Sequence, residues 1–300
     1  MRRLPSLILI AICFVAGFVL TAPANAEAKA KIGIADQKAD MFSDPRFRDL
    51  KIKNARLSVP WDALRYDFTA ADVDVWIKGA RADGVTPLIT FQKSRVKPHS
   101  RPTVEQYTRE FKKFKRKYPF IKNYAAWNEP NLEDSRRPKL IASYYRAMKA
   151  NCPRCKVLGG DLVDLPSVSA WVNKFNKYTN GKKPKYWGLH NYVSANRFST
   201  KATKDLLKTI KGSQLWLTET GGLVARRSNS KIKLKQGKAH AAKVTSFIFK
   251  TWGNNPRIPY IFLYHWDSSS TKDTWDSAFI GPDDKARPSL NILKNYLRSR

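Results

Sequence analysis

Eight short apolar runs recur between positions 31 and 266, separated by stretches in which apolar residues return every three or four positions. The runs are KIGIAD (31–36), NARLSVPW (54–61), TPLITFQ (86–92), NYAAWNE (123–129), KVLGGD (156–161), YWGLHNY (186–192), QLWLTE (214–219) and PYIFLYHW (259–266). They have the length and the β-branched and aromatic content of buried strands. The stretches between them read mostly as amphipathic helices with a stop signal at the end. AADVDVWIKGARADG ends at Gly84, VEQYTREFKKFKRKYP at Pro119, PKLIASYYRAMKANCP at Pro153, SVSAWVNKFNKYTNG at Gly181 and TKATKDLLKTIKG at Gly212. GKAHAAKVTSFIFKTWGNNP is the longest, and SLNILKNYLRS follows the last strand. Only the first connection, around SDPRFRDL, is weakly helical.

Strands that alternate with helices form a parallel sheet covered by those helices. Eight such units predict an α/β fold closed into a single (β/α)₈ TIM barrel, with a doubly wound open sheet as the competing arrangement. No Gly/Ser-rich or Pro-rich linker divides the chain, and no internal repeat is visible, so 27–300 reads as one domain.

Residues 1–26 read differently. Arg2 and Arg3 precede the apolar run LILIAICFVAGFVL, and Ala24-Asn25-Ala26 follows it. A basic start, a short apolar core and an A-x-A site form a secretory signal peptide, with the mature chain starting near Glu27 and acting outside the cytoplasm. An uncleaved anchor is the other reading, although the run is short for a membrane span.

Export changes the meaning of two further features. The chain has 56 Lys plus Arg against 24 Asp plus Glu, a net charge of +32. Removal of the leader takes away only Arg2 and Arg3, leaving about +30. Such a field draws a protein toward polyanions. For an exported chain these are acidic envelope polymers or anionic lipid surfaces rather than a specific nucleic acid; the plain alternative is that the charge only maintains solubility. Cys13 leaves with the leader, which isolates Cys152 and Cys155 in CPRC. In an oxidising compartment a C-x-x-C at a helix end is expected to close as a disulfide. A zinc site would need more ligands, and His99, His190, His240 and His265 are not at finger spacing, so no metal is expected.

The chemistry lies at the strand ends. In a closed barrel all the carboxyl ends open on one face, and two of them carry glutamates. Glu129 ends the fourth run inside YAAWNEPN, and Glu219 ends the seventh inside QLWLTETGG. Two carboxylates across such a mouth are the apparatus of glycoside hydrolysis, where one protonates the leaving oxygen and the other attacks or activates water. Surface or capping roles for these acids are the bland alternative. No G-x-S-x-G elbow, P-loop, H-E-x-x-H or G-x-G-x-x-G after the first strand is present, and nothing suggests a cofactor.

WNEPN on the fourth strand and a glutamate on the seventh resemble the clan A glycoside hydrolases, retaining (β/α)₈ enzymes. The resemblance covers essentially the whole of 27–300, and within the clan the chain looks most like the family 39 and family 128 branches. It implies Glu129 as acid/base and Glu219 as nucleophile, with Glu219's charge holding Glu129 protonated. It implies that Asn128 bonds the sugar 2-hydroxyl, that Tyr192 in the H-N-Y of the sixth strand donates to the nucleophile beside His190, and that Arg56 lies next to it. Trp266 is implied as the aromatic floor of the site; Trp61, which ends the second run, is a further candidate for stacking on a sugar. Gln92 and Asp161, at the ends of the third and fifth runs, are placed to meet substrate hydroxyls. The implied activity is an endo-acting β-glycanase on a polysaccharide, with exo-action open. A non-catalytic barrel that binds an acidic glycan or nucleic acid is the alternative of another class.

Overall fold

The computed structural model describes residues 29–227 and 232–300. Residues 1–28, which include the leader read at 1–26, and residues 228–231 lie outside the described residues. The strands are β1 (Lys31–Ala35), β2 (Asn54–Pro60), β3 (Thr86–Gln92), β4 (Asn123–Ala125), β5 (Lys156–Val163), β6 (Tyr186–His190), β7 (Gln214–Thr220), the short β8 (Ala225–Arg226), β9 (Tyr260–Tyr264) and the short β10 (Trp275–Asp276). β1 to β7 and β9 close into an eight-stranded barrel, parallel throughout. Helices fill the crossovers, including Asp67–Ala82, Val104–Lys117, Pro138–Asn151 and Lys238–Trp252. The chain is a single (β/α)₈ barrel. β8 and β10 pair antiparallel as a small ribbon beside the mouth.

Two apolar layers hold this arrangement. Inside the barrel, Ala35, Leu88, Ala125, Leu158, Trp216, Tyr260 and Phe262 fill the lumen. Small residues face large ones there, and the fit is tight: a Cβ at Gly33 would lie 2.5 Å from the Phe262 ring. A second layer lies between strands and helices. Helix Val104–Lys117 shows how the sequence builds it. Thr103 and Gln106 close a capping box at its start, and Tyr107, Phe111 and Phe114 turn inward onto Phe91. Its lysines and arginines face solvent, so much of the positive charge is the outer face of amphipathic helices. Each buried aromatic contributes roughly 1.5–3 kcal/mol by leaving water. Cys152 and Cys155 are disulfide-bonded where helix Pro138–Asn151 ends. Among the described residues no helix is long and apolar enough to cross a membrane.

Three strands stop two or more residues earlier than their apolar runs suggest. β4 ends at Ala125, although Ala126 and Trp127 are also fully buried. The chain then turns through Glu129, whose φ of 47° is left-handed, into the short helix Pro130–Glu133. β6 ends at His190, and Tyr192 starts the helical turn Tyr192–Asn196. β9 ends at Tyr264, before His265 and Trp266. All three departures occur at the mouth, where regular pairing gives way to isolated backbone bonds, such as the bridge between Asn128 and Asp161, and to loops.

Candidate active site

The mouth is organised around a buried cation. Arg56 points up from β2 with none of its side chain exposed. A charge buried this way needs partners at every donor. Arg56 Nε donates to Thr90 Oγ1 (3.1 Å) on β3 and to Asp161 Oδ2 (2.9 Å) on β5. Nη2 donates to the same Asp161 oxygen (2.6 Å) and to Asn128 Oδ1 (2.7 Å). Nη1 donates to Glu219 Oε1 at 2.5 Å. One side chain therefore ties together groups from the ends of β2, β3, β4, β5 and β7. Burial disfavours the guanidinium charge, but Asp161 and Glu219 outweigh it and Arg56 remains firmly protonated. Burial alone would raise Asp161; Arg56, His190 and Thr90 more than cancel it and hold the carboxyl at about 2.

Glu129 and Glu219 meet across this cation. Glu129 leaves the β4 loop with its own N–H on Asp161 O (2.8 Å), while Asn128 N–H bonds Phe91 O (2.8 Å). These anchors hold Glu129 in a left-handed conformation that costs an ordinary side chain on the order of 1–3 kcal/mol, strain of the kind concentrated at functional positions. His190, fully buried at the end of β6, donates from Nδ1 to Glu129 Oε1 at 2.9 Å. The same nitrogen lies 3.8 Å from Glu219 Oε2. These two lengths laid end to end cap the gap between the two carboxylate oxygens. That ceiling is compatible with the roughly 5–5.5 Å between the carboxyl groups of retaining glycosidases. Tyr192 donates its hydroxyl to Glu219 Oε2 at 3.3 Å.

The proton inventory departs from the simple expectation that Glu219 holds Glu129 protonated. Burial does push Glu129 up, but its hydrogen bond and charge interaction with His190, helped by Arg56, leave it below the usual carboxylate range. Burial would discharge His190; Glu219, Asp161 and Glu129 overcome this and raise it to about 9. The resting site thus keeps its mobile proton on the imidazole, one hydrogen bond from Glu129.

Glu129, Glu219, Asn128, Gln92 and Tyr192 line one cavity of about 460 Å³. Arg56, His190 and Asp161 lie beneath it, fully buried. Asp161 meets Arg56 there rather than open solvent. The two tryptophans expected to face sugar do not line this cavity, although Trp266 lines a separate one of about 420 Å³ with Asp44 and Asp267. Trp266 is buried edge-on to Phe47 (5.4 Å) and donates Nε1 to Asp44 Oδ2 (2.9 Å). Trp61 is buried under the Arg65 guanidinium, 4.7 Å from its ring. The aromatic surfaces on the cavity are Tyr192, Tyr264 and Trp275, with Trp275 edge-on to Tyr192 at 4.6 Å. Tyr264 was legible in principle, because period two along β9 puts it on the same face as the lumen residues Tyr260 and Phe262. Trp275 carries no such signal; it reaches the mouth only because β10 pairs with β8.

No protein-family model matches the chain, and no curated protein matches it in sequence. Solved structures share its fold. A glucosidase from Croceicoccus marinus is 13% identical with a TM-score of 0.65, over 90% of this chain and 68% of that one. Xylanase 10B from Thermotoga maritima is 13% identical with a TM-score of 0.64, over 91% of this chain and 96% of that one. A GH39 β-xylosidase from Caulobacter crescentus is 15% identical with a TM-score of 0.64, over 91% and 72%. Likeness at these identities establishes the barrel; the chemistry rests on the residues at its mouth.

Proposed function

We propose that the chain is an exported retaining glycoside hydrolase that cleaves a polysaccharide, with Glu219 as nucleophile and Glu129 as acid/base. The observation that carries this is the shared contact of both carboxylates with one imidazole nitrogen, which sets their spacing. Glu219, held by Arg56 and Tyr192, attacks the anomeric carbon as the bond to the leaving oxygen breaks. The leaving oxygen takes a proton from Glu129, which receives it from His190 Nδ1 as substrate displaces water and desolvates the pair. Ester formation removes the negative charge of Glu219. Glu129 then takes a proton from the incoming water, which attacks the ester and frees the sugar with its configuration retained. Asn128, fixed by Arg56, faces the sugar 2-hydroxyl, and Tyr264 and Trp275 offer the apolar faces on which a ring packs. The barrel neighbours named as a glucosidase, a xylanase and a xylosidase support this reading. An open cavity at the mouth favours endo-action on a β-linked chain.

Glu219→Ala tests the assignment. It is expected to remain folded and to lose nearly all kcat on an activated aryl glycoside. Azide is expected to restore turnover by attacking from the vacated side, giving a glycosyl azide of inverted configuration. Wild-type turnover in Glu219→Ala would refute the nucleophile.

A further inference from the structure

The catalytic cavity continues past Tyr192. Asp164, Leu165, Val193 and Ile232 line it and also line a larger cavity of about 820 Å³ above β5 and β6. The two cavities adjoin at these shared residues, the larger lying on the side away from the glutamates. Its far wall carries Arg197, Lys201 and Lys208, all exposed. Two acids face these three cations. Asp205 accepts Lys201 at 2.6 Å and lies 3.9 Å from Lys208. Asp164 accepts the backbone N–H groups of Val193 (3.3 Å) and Ser194 (2.6 Å). Burial pushes Asp164 up to about 6, so it carries only part of its negative charge near that pH and more above it. Arg197 bonds only a carbonyl, Lys233 O at 3.4 Å, among the contacts the structure defines for its guanidinium. Across the mouth, beyond Gln92 and Leu132, a cavity of about 540 Å³ sets Lys93, Arg101, Arg136 and Arg137 against Glu133 and Asp134. Cations exceed acids on both sides of the cleavage point.

We propose that the adjoining cavities take an anionic polysaccharide, with carboxylate-bearing sugars, uronic acid residues, seated against Arg197, Lys201 and Lys208. This rests on the glycosidase reading and names its substrate class. Exposed ion pairs such as Lys201–Asp205 are weakly held, so a sugar carboxylate displaces Asp205 at small cost. Arginine and lysine differ in what they offer: the guanidinium fork grips one carboxylate with two N–H groups, and the lysines follow neighbouring ones on flexible stems. The net charge of +32 raises the local concentration of such a polymer before any contact forms.

The test measures binding of the full chain carrying Glu219→Gln, so that nothing is cleaved. The probes are polygalacturonate, the same polymer after carboxyl reduction, and dextran sulfate, each at low and high salt. Polygalacturonate is expected to bind roughly tenfold or more tighter than its carboxyl-reduced form, with the difference shrinking as salt rises. Replacing Arg197, Lys201 and Lys208 together by alanine is expected to remove roughly tenfold of that affinity. Replacing Lys122, Lys183 and Lys185 by alanine removes equal charge near the amino ends of β4 and β6, and is expected to change it only slightly. Equal binding of the reduced polymer overturns the proposal. So does equal weakening by the two triple variants, which assigns the effect to the whole-molecule field. Dextran sulfate binding as tightly as polygalacturonate, with the same dependence on Arg197, overturns the carboxylate assignment. The glycosidase reading fails separately, if the wild-type chain releases no reducing ends from any glycan while the binding pattern holds.

Discussion

At the scale of single residues, the site is a balance between buried charges. Arg56 and protonated His190 offset much of the charge of Asp161, Glu129 and Glu219, and each shifts the proton affinity of its neighbours. The pH dependence follows. His190 is raised above its ordinary value, so its proton is fully held below about 6.5 and is lost as pH rises through about 9. Because that proton feeds Glu129, kcat/KM for an aryl glycoside is expected to fall on an alkaline limb near about 9. His190→Asn removes the main group that holds Glu129 down, leaving burial and Asp161, opposed by Arg56, to set its proton affinity. The limb is then expected to move toward lower pH. An unchanged limb in this variant would show that His190 does not carry the proton. Asp161 works in the opposite sense. Its carboxyl is depressed to about 2, so its stabilising contribution is present above about 3.8 and is lost only in strong acid.

At the scale of elements, strands position these charges through close backbone approach. Gly188 on β6 faces Asp161: a Cβ there would lie 2.0 Å from Asp161 Oδ1 and 2.7 Å from Thr218 Oγ1. Gly188→Ala must therefore push Asp161 away from Arg56. The expected result is a lower Tm, from about 1–3 kcal/mol of overpacking, together with at least a tenfold loss of kcat/KM. Unchanged values for both would mean that Asp161 does not fix the site. The disulfide is expected to matter much less. Cys152 and Cys155 enclose a tiny loop. Replacing both with serine should cost no more than about 2 kcal/mol in a denaturant titration, and a loss of roughly twice that would point to a larger role. The strands themselves were legible because both of their faces are buried, which writes them as unbroken apolar runs. Their ends were not, because Ala126 and Trp127 are as apolar as the strand before them, and only the left-handed turn at Glu129 shows where β4 stops. Glu129 and Glu219 could be read as a pair from their positions on the fourth and seventh strands. Trp61 and Trp266 could be read as buried but not as buried against Arg65 and Phe47, because apolarity does not say which surface a ring meets.

At the scale of the whole molecule, the reading of residues 1–26 as a leader gives a direct expectation. The secreted protein should begin near Glu27, with Cys152 and Cys155 oxidised, as read by intact mass before and after alkylation. A chain still starting at Met1 would mean an anchor instead. The barrel's closure has a consequence for how such a chain is made. β1 pairs with β2 through only Ile34 and Ala35, but with β9 along its whole length, from Lys31–Tyr260 to Ala35–Tyr264. Synthesis runs from the amino end, so the first strand to emerge waits for nearly the last before it has a full partner. Until residues 260–264 appear, the growing chain carries two unpaired strand edges, one at β1 and one at β7, of the kind that attract other chains. A ribosome stalled anywhere in the last crossover would therefore present an open, adhesive sheet rather than a nearly finished enzyme.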